Sequence, residues 1–249
     1  MTRGILIAGN ESPLLAALAA EAAKRVERFA LAPIPNRLLQ GEYSEAKGGR
    51  GDAQVRADRQ DHTAASALAA VAPDGGAGIP LGWNPGSPVS ARTVILSAEN
   101  RLEHIDEALL VCAPPSVRRS VAELPARDIE ILVNDHIKGW FLLAKELTSV
   151  FKTRRAGTLG LIFSDFPSGG GKDEKADLLG SAALASFRAF SQSLLVSSFD
   201  EPYLSLGFSS SETGDEGPFA SFVFKTLDES SRKNNGKWYK FGKFNLFGR

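Results

Sequence analysis

The sequence predicts one α/β domain built as a doubly wound, mostly parallel sheet with helices on both faces. Two observations carry that prediction. Short, continuous apolar runs ending in glycine, proline or serine recur along the chain, as strands buried on both faces require. Between them lie longer alanine- and leucine-rich stretches of helical character, and strand–helix alternation favours a parallel sheet over a sandwich or a bundle. The length of 249 residues, with 43% hydrophobic residues, suffices for one large core without disulfides or metal.

The first run, Ile5 to Ala8 closed by Gly9, reads as a strand. Ser12 as N-cap and Pro13 in the first turn start a helix over Leu14 to Val26. Arg28 to Ile34 is apolar enough for a second strand, completing a β-α-β unit. Residues 36–90 are broken by glycine and proline clusters and read as a flexible insertion with one helix, His62 to Ala72. The tripeptide Arg50-Gly51-Asp52 lies inside it and reads as solvated loop. Beyond it, Thr93–Ser97 reads as a strand, Asn100–Ile105 as a helical turn, Ala108–Ala113 as a strand and Ser116–Leu124 as a helix. A long helix follows over Ala126–Lys152, then a strand over Thr158–Ser164 and a Gly-rich loop, Ser168–Lys172. The remaining elements are a helix over Asp177–Ser197, a strand over Tyr203–Phe208, a polar loop, a helix over Phe219–Ser230 and a last strand, Lys237–Phe241. The closing stretch 237–249 alternates aromatic and cationic residues.

Composition narrows the function classes. Twenty-nine basic residues balance 29 acidic ones, which argues against a general nucleic-acid binder. The single cysteine, Cys112, excludes an intramolecular disulfide framework. No His, Cys or acidic residues stand at metal-ligand spacing, so no metal site is expected. No apolar run approaches the roughly 20 residues of a membrane span, and the N-terminus lacks a signal-peptide core. A cytoplasmic protein is the expectation.

The order of elements resembles the short-chain dehydrogenase/reductase family over about residues 3–35 and 92–225. Ile7-Ala8-Gly9-Asn10-Glu11-Ser12 is similar to the start of its glycine-rich turn, and His104 to Val111 to its fourth-strand entry. His136-Ile137-Lys138-Gly139-Trp140-Phe141-Leu142-Leu143 resembles its "NltGpfll" helix, and Gly157 to Ser164 the strand bearing its catalytic serine. Ser181 to Leu194 resembles the helix that bears its Tyr-x-x-x-Lys pair.

The resemblance implies a Rossmann-like fold, a nicotinamide cofactor and an oligomer. At the functional positions the sequence departs from the family. Of the three turn glycines only Gly9 remains; the others fall on Pro13 and Leu15. Gly9, Asn10 and Ser12 are the candidate cofactor-binding residues of this turn, and Arg37 is the candidate for an adenosine 2′-phosphate. The helix asparagine falls on His136, while Asn134 lies two residues away, about 200° around a helix. Ser164 is the candidate for the catalytic serine. The tyrosine and lysine fall on Gly180 and Leu184, and the helix from Asp177 to Ser197 contains neither residue type. A general acid of this kind contributes typically about 10²–10⁴-fold to rate.

The reading these positions support is a pseudoenzyme: a dehydrogenase-like chain without a cofactor, serving as a binding or assembly protein. The alternative is an atypical oxidoreductase that holds NADP or NAD in a remodelled turn and uses Ser164 and His136. His136 is suited to acid–base work near pH 7 if solvated; otherwise it is a locally hydrogen-bonded helix residue. Cys112, at a strand end, reads as an inert core thiol. Partners are expected to be further copies of the chain, as a dimer or tetramer, or a protein docking on the aromatic tail; nucleic-acid binding is the lesser reading of that tail.

Overall fold

The computed structural model describes residues 3–25, 28–35, 37, 78–164, 177–211, 214 and 216–242. Most of the predicted insertion, with the His62–Ala72 helix and Arg50-Gly51-Asp52, lies outside these residues, as do the Ser168–Lys172 loop and residues 243–249.

Seven strands form one sheet in the order β3-β2-β1-β4-β5-β6-β7. They are β1 (Gly4–Asn10), β2 (Arg28–Ile34), β3 (Ile79–Pro80), β4 (Glu107–Cys112), β5 (Thr158–Ser164), β6 (Leu204–Ser210) and β7 (Trp238–Phe241). Every neighbouring pair is parallel. All seven residues of β1 and all six of β4 are buried, as expected for central strands covered on both faces.

Helices cover both faces. On one lie α1 (Pro13–Lys24) and α6 (Glu216–Asp228), whose Leu14, Leu18, Phe219 and Phe224 pack with Ile5, Ile7 and Phe208. On the other lie α2 (Pro88–Leu102), α4 (Gly139–Arg154) and α5 (Leu178–Ser197), around Trp140, Phe151, Phe163 and Phe187. A shorter helix, α3 (Ala126–Val133), joins α4 through a five-residue π-turn, Asn134–Lys138.

The structure corrects three elements of the sequence reading. Thr93–Ser97 is not a strand; with Asn100 to Leu102 it belongs to α2. The run Thr93-Val94-Ile95-Leu96 has β-branched character, yet Ser87 caps the helix, Pro88 sits in its first turn, and Val94, Ile95, Ala98 and Leu102 share its buried face. The third strand is instead Ile79–Pro80, beside β2, so the described end of the 36–90 segment, from residue 78, is integral to the sheet and to α2. Ser116–Leu124 forms only a 3₁₀ turn at Val121–Glu123. Prolines 114, 115 and 125 flank it, and Arg118 makes an isolated antiparallel bridge to Asp177 that draws the segment across the head of α5.

Candidate functional site

In a doubly wound sheet, ligands bind beyond the carboxyl ends of the strands where the strand order reverses. Here that point lies between β1 and β4, and Asn10, the last residue of β1, is wholly buried there. Its Oδ1 accepts from the backbone N–H of Ala113, just past β4, at 3.0 Å. Its Nδ2 lies 3.0 Å from Nδ1 of His136 in the π-turn. One side-chain amide thereby ties together β1, the exit of β4 and the helix above them.

The rest of the first turn is also engaged in the fold. A Cβ on Gly9 would stand 2.3 Å from the Val111 carbonyl oxygen, so strand packing alone demands glycine there. Ser12 caps α1 through its hydroxyl, which accepts from the Leu15 N–H at 3.2 Å. Leu15, at the position of a family glycine, is buried with Leu14 and Leu18 in the α1–α6 core. Pro13 is exposed.

The π-turn carries two consecutive buried polar side chains, Asp135 and His136, whereas Asn134 is exposed. Arg37 approaches Asp135, Nε to Oδ2, at 3.6 Å, too long for a hydrogen bond. Neither atom has a hydrogen-bond partner. Burial raises the Asp135 carboxyl above its ordinary range, and Arg37 partly offsets this. Burial, with a smaller push from the Arg37 cation, lowers His136 to about 4. The imidazole is therefore neutral at pH 7 and is bonded to Asn10 rather than solvated. Arg37, assigned by the sequence to a phosphate, has a carboxylate as its neighbour.

Ser164 ends β5 and is buried, in register with Ser210. The structure does not join it to His136 by a hydrogen bond; that ring is bonded to Asn10. At the expected tyrosine and lysine positions, Gly180 and Leu184 stand in the first two turns of α5. The Asp177 carboxylate caps this helix, Oδ1 accepting from Gly180 N–H at 2.8 Å and from Val117 N–H at 3.3 Å. A Cβ on Gly180 would lie 2.3 Å from Asp177 Oδ2. Val117 fills the neighbouring space, packing with Leu132, Leu179 and Ala183. The sequence reading starts the helix at Asp177, which the structure makes its cap; nothing local in the sequence marks Val117 as a residue that packs on this helix.

Two further positions bear on the chemistry. Burial drives the Cys112 thiol strongly upward, leaving it protonated and inert. The described aromatics of the C-terminal stretch are half-buried and pack on the sheet and on α6. Trp238 meets Phe163, Tyr239 stacks on Phe208, and Phe241 touches Phe219 and Phe222.

Outside the cleft, α4 and α5 frame an open groove of about 610 Å³ lined by Phe141, Lys145, Ala189, Phe190 and Ser193 among others. Phe141 is 55% exposed and Val196, farther along α5, 80% exposed. Among the described residues there is no cluster of potential metal ligands, and no helix long and apolar enough to cross a membrane.

No family model and no curated protein matches the chain. Solved structures do match its fold. A short-chain type dehydrogenase/reductase from Mycobacterium marinum superposes with a TM-score of 0.66 at 13% identity, covering 96% of this chain and 93% of the other. A short chain dehydrogenase from Bacillus anthracis gives 0.67 at 12% identity over 96% and 95% of the two chains. One from Rhodopseudomonas palustris gives 0.66 at 11% identity over 97% and 100%. The chain therefore has the doubly wound fold of the short-chain dehydrogenases along nearly its whole length. At these identities the likeness is one of architecture, and function rests on the site.

Proposed function

We propose that this protein is a non-catalytic, dehydrogenase-fold binding or assembly protein that takes up no nicotinamide dinucleotide. The observation that carries the reading is the Asn10 side chain, which lies across the switch point and is bonded on both sides. A pyrophosphate seated there would need free amides and space at the first turn. Instead Ser12 holds the Leu15 amide, Leu15 packs into the core and Pro13 has no N–H to give. The absence of tyrosine and lysine from α5, and the Asp177 cap against Gly180, support the loss of the family's acid–base chemistry.

The partner this reading favours is a second copy, docked through the exposed face of α4 and α5, where Phe141 and Val196 would leave water. The experiment is calorimetric titration of the full chain with NADH and NADPH separately. No saturable heat from protein with an intact thermal transition is the expected result. One-to-one binding near micromolar would overturn the reading in favour of an atypical oxidoreductase, the activity the solved neighbours' names carry.

A further inference from the structure

The hydrogen bonds around Asn10 determine where the proton sits on His136. The Ala113 backbone N–H can only donate, so the Asn10 atom facing it at 3.0 Å must be the carbonyl Oδ1. The amide cannot be flipped without setting two donors against each other. The atom facing His136 is then the NH₂ group, which also only donates, and Nδ1 at 3.0 Å must accept. An accepting Nδ1 carries no hydrogen, so in the neutral ring the proton is on Nε2. Nε2 has no hydrogen-bond partner among the described residues; the ring's bond is the one Nδ1 makes to Asn10.

We infer that Asn10 is a positioning residue that locks His136 as the neutral Nε2–H tautomer, so that Nε2, at the carboxyl edge of the sheet, can only donate. In this arrangement neither nitrogen can take a proton from a substrate: Nδ1 is occupied and Nε2 is already protonated. Arg37, which faces Asp135 at 3.6 Å, places a cation near the ring that opposes its protonation. This conclusion goes beyond the proposed function and holds whether or not a nucleotide binds.

The test is a long-range ¹H–¹⁵N correlation spectrum of the imidazoles in uniformly ¹⁵N-labelled full-length protein. The three histidines are assigned by comparison with His136→Gln and His62→Gln. The expected pattern for His136 is the Nε2–H tautomer, unchanged between pH 5.5 and 8. Asn10→Asp places a carboxylate oxygen against Nδ1, and should move the proton to Nδ1 and bring the ring into titration within that range. A purely structural Asn10 would leave the tautomer indifferent to that change. A wild-type Nδ1–H pattern, a ring that titrates near 6.5, or an Asn10→Asp spectrum identical to wild type would each overturn the inference. Asn10→Gly, which removes the amide without adding charge, covers the case where Asn10→Asp does not fold; it should release the ring to a mixture of tautomers, and retention of pure Nε2–H would count against the lock.

Discussion

Replacing Asn10 by alanine should cost the fold about 3 kcal/mol. The side chain is wholly buried and makes two hydrogen bonds, each 3.0 Å long, to groups on two other elements. Deleting it leaves His136 Nδ1 and the Ala113 N–H without their partner. Stranding a buried polar group costs roughly 1–3 kcal/mol. His136 is 2% exposed and belongs at the upper end of that range, whereas Ala113 is half-buried and regains some hydration. For a chain of this size, each kcal/mol lowers Tm by about 2–4 °C, so the variant should melt about 6–12 °C below wild type. Differential scanning calorimetry or urea unfolding reads this directly. A loss below about 1 kcal/mol, or an Asn10→Leu variant as stable as wild type, would refute the idea that the amide ties β1 to β4 and the π-turn.

Acidification should weaken the fold through His136. Its folded value of about 4 lies below the ordinary 6.5, so between those values the unfolded chain binds more protons. The contribution is complete above 6.5 and is lost as pH falls towards 4, reaching roughly 3 kcal/mol at about 1.4 kcal/mol per pH unit. Asp135 works in the opposite sense, because a raised carboxyl favours the folded state on protonation. Urea midpoints of wild type and His136→Gln should therefore converge as pH drops from 7 to 4.5; parallel curves would remove His136 from the account. On the α4–α5 face, Phe141→Asp with Val196→Asp should convert an assembled species to monomer in light scattering while leaving Tm within about 2 °C, because both side chains are largely exposed. A wild-type chain that is monomeric at high micromolar concentration would refute the second-copy proposal.

The alternation of strands and helices was legible because it rests on local physics. Buried parallel strands are continuous apolar runs, and helix starts such as Ser12-Pro13 carry their own capping chemistry. The misread elements are those in which a tertiary contact outweighed local propensity. Val94 and Ile95 look like a strand but are buried on a helix face. Val117 sits in a stretch of helical composition, yet is drawn out to pack on Leu179 and Ala183. Ile79–Pro80 has no strand signature at all; its pairing with β2 makes it one.

The same division runs through the site. The sequence by itself determined which groups are missing: no tyrosine or lysine in α5, and proline and leucine in place of two turn glycines. Only the tertiary structure decided what the remaining groups do. Asn10, Ala113 and His136 stand 103 and 126 residues apart in pairs anchored on Asn10, so no spacing rule brings them together. Gly9 reads locally as the start of a cofactor turn, but the neighbouring strand's Val111 carbonyl is what requires it. Residue identity fixes the chemistry available, whereas burial and hydrogen-bond partners, set by chain segments distant in sequence, fix which atom donates, which accepts and which stays neutral.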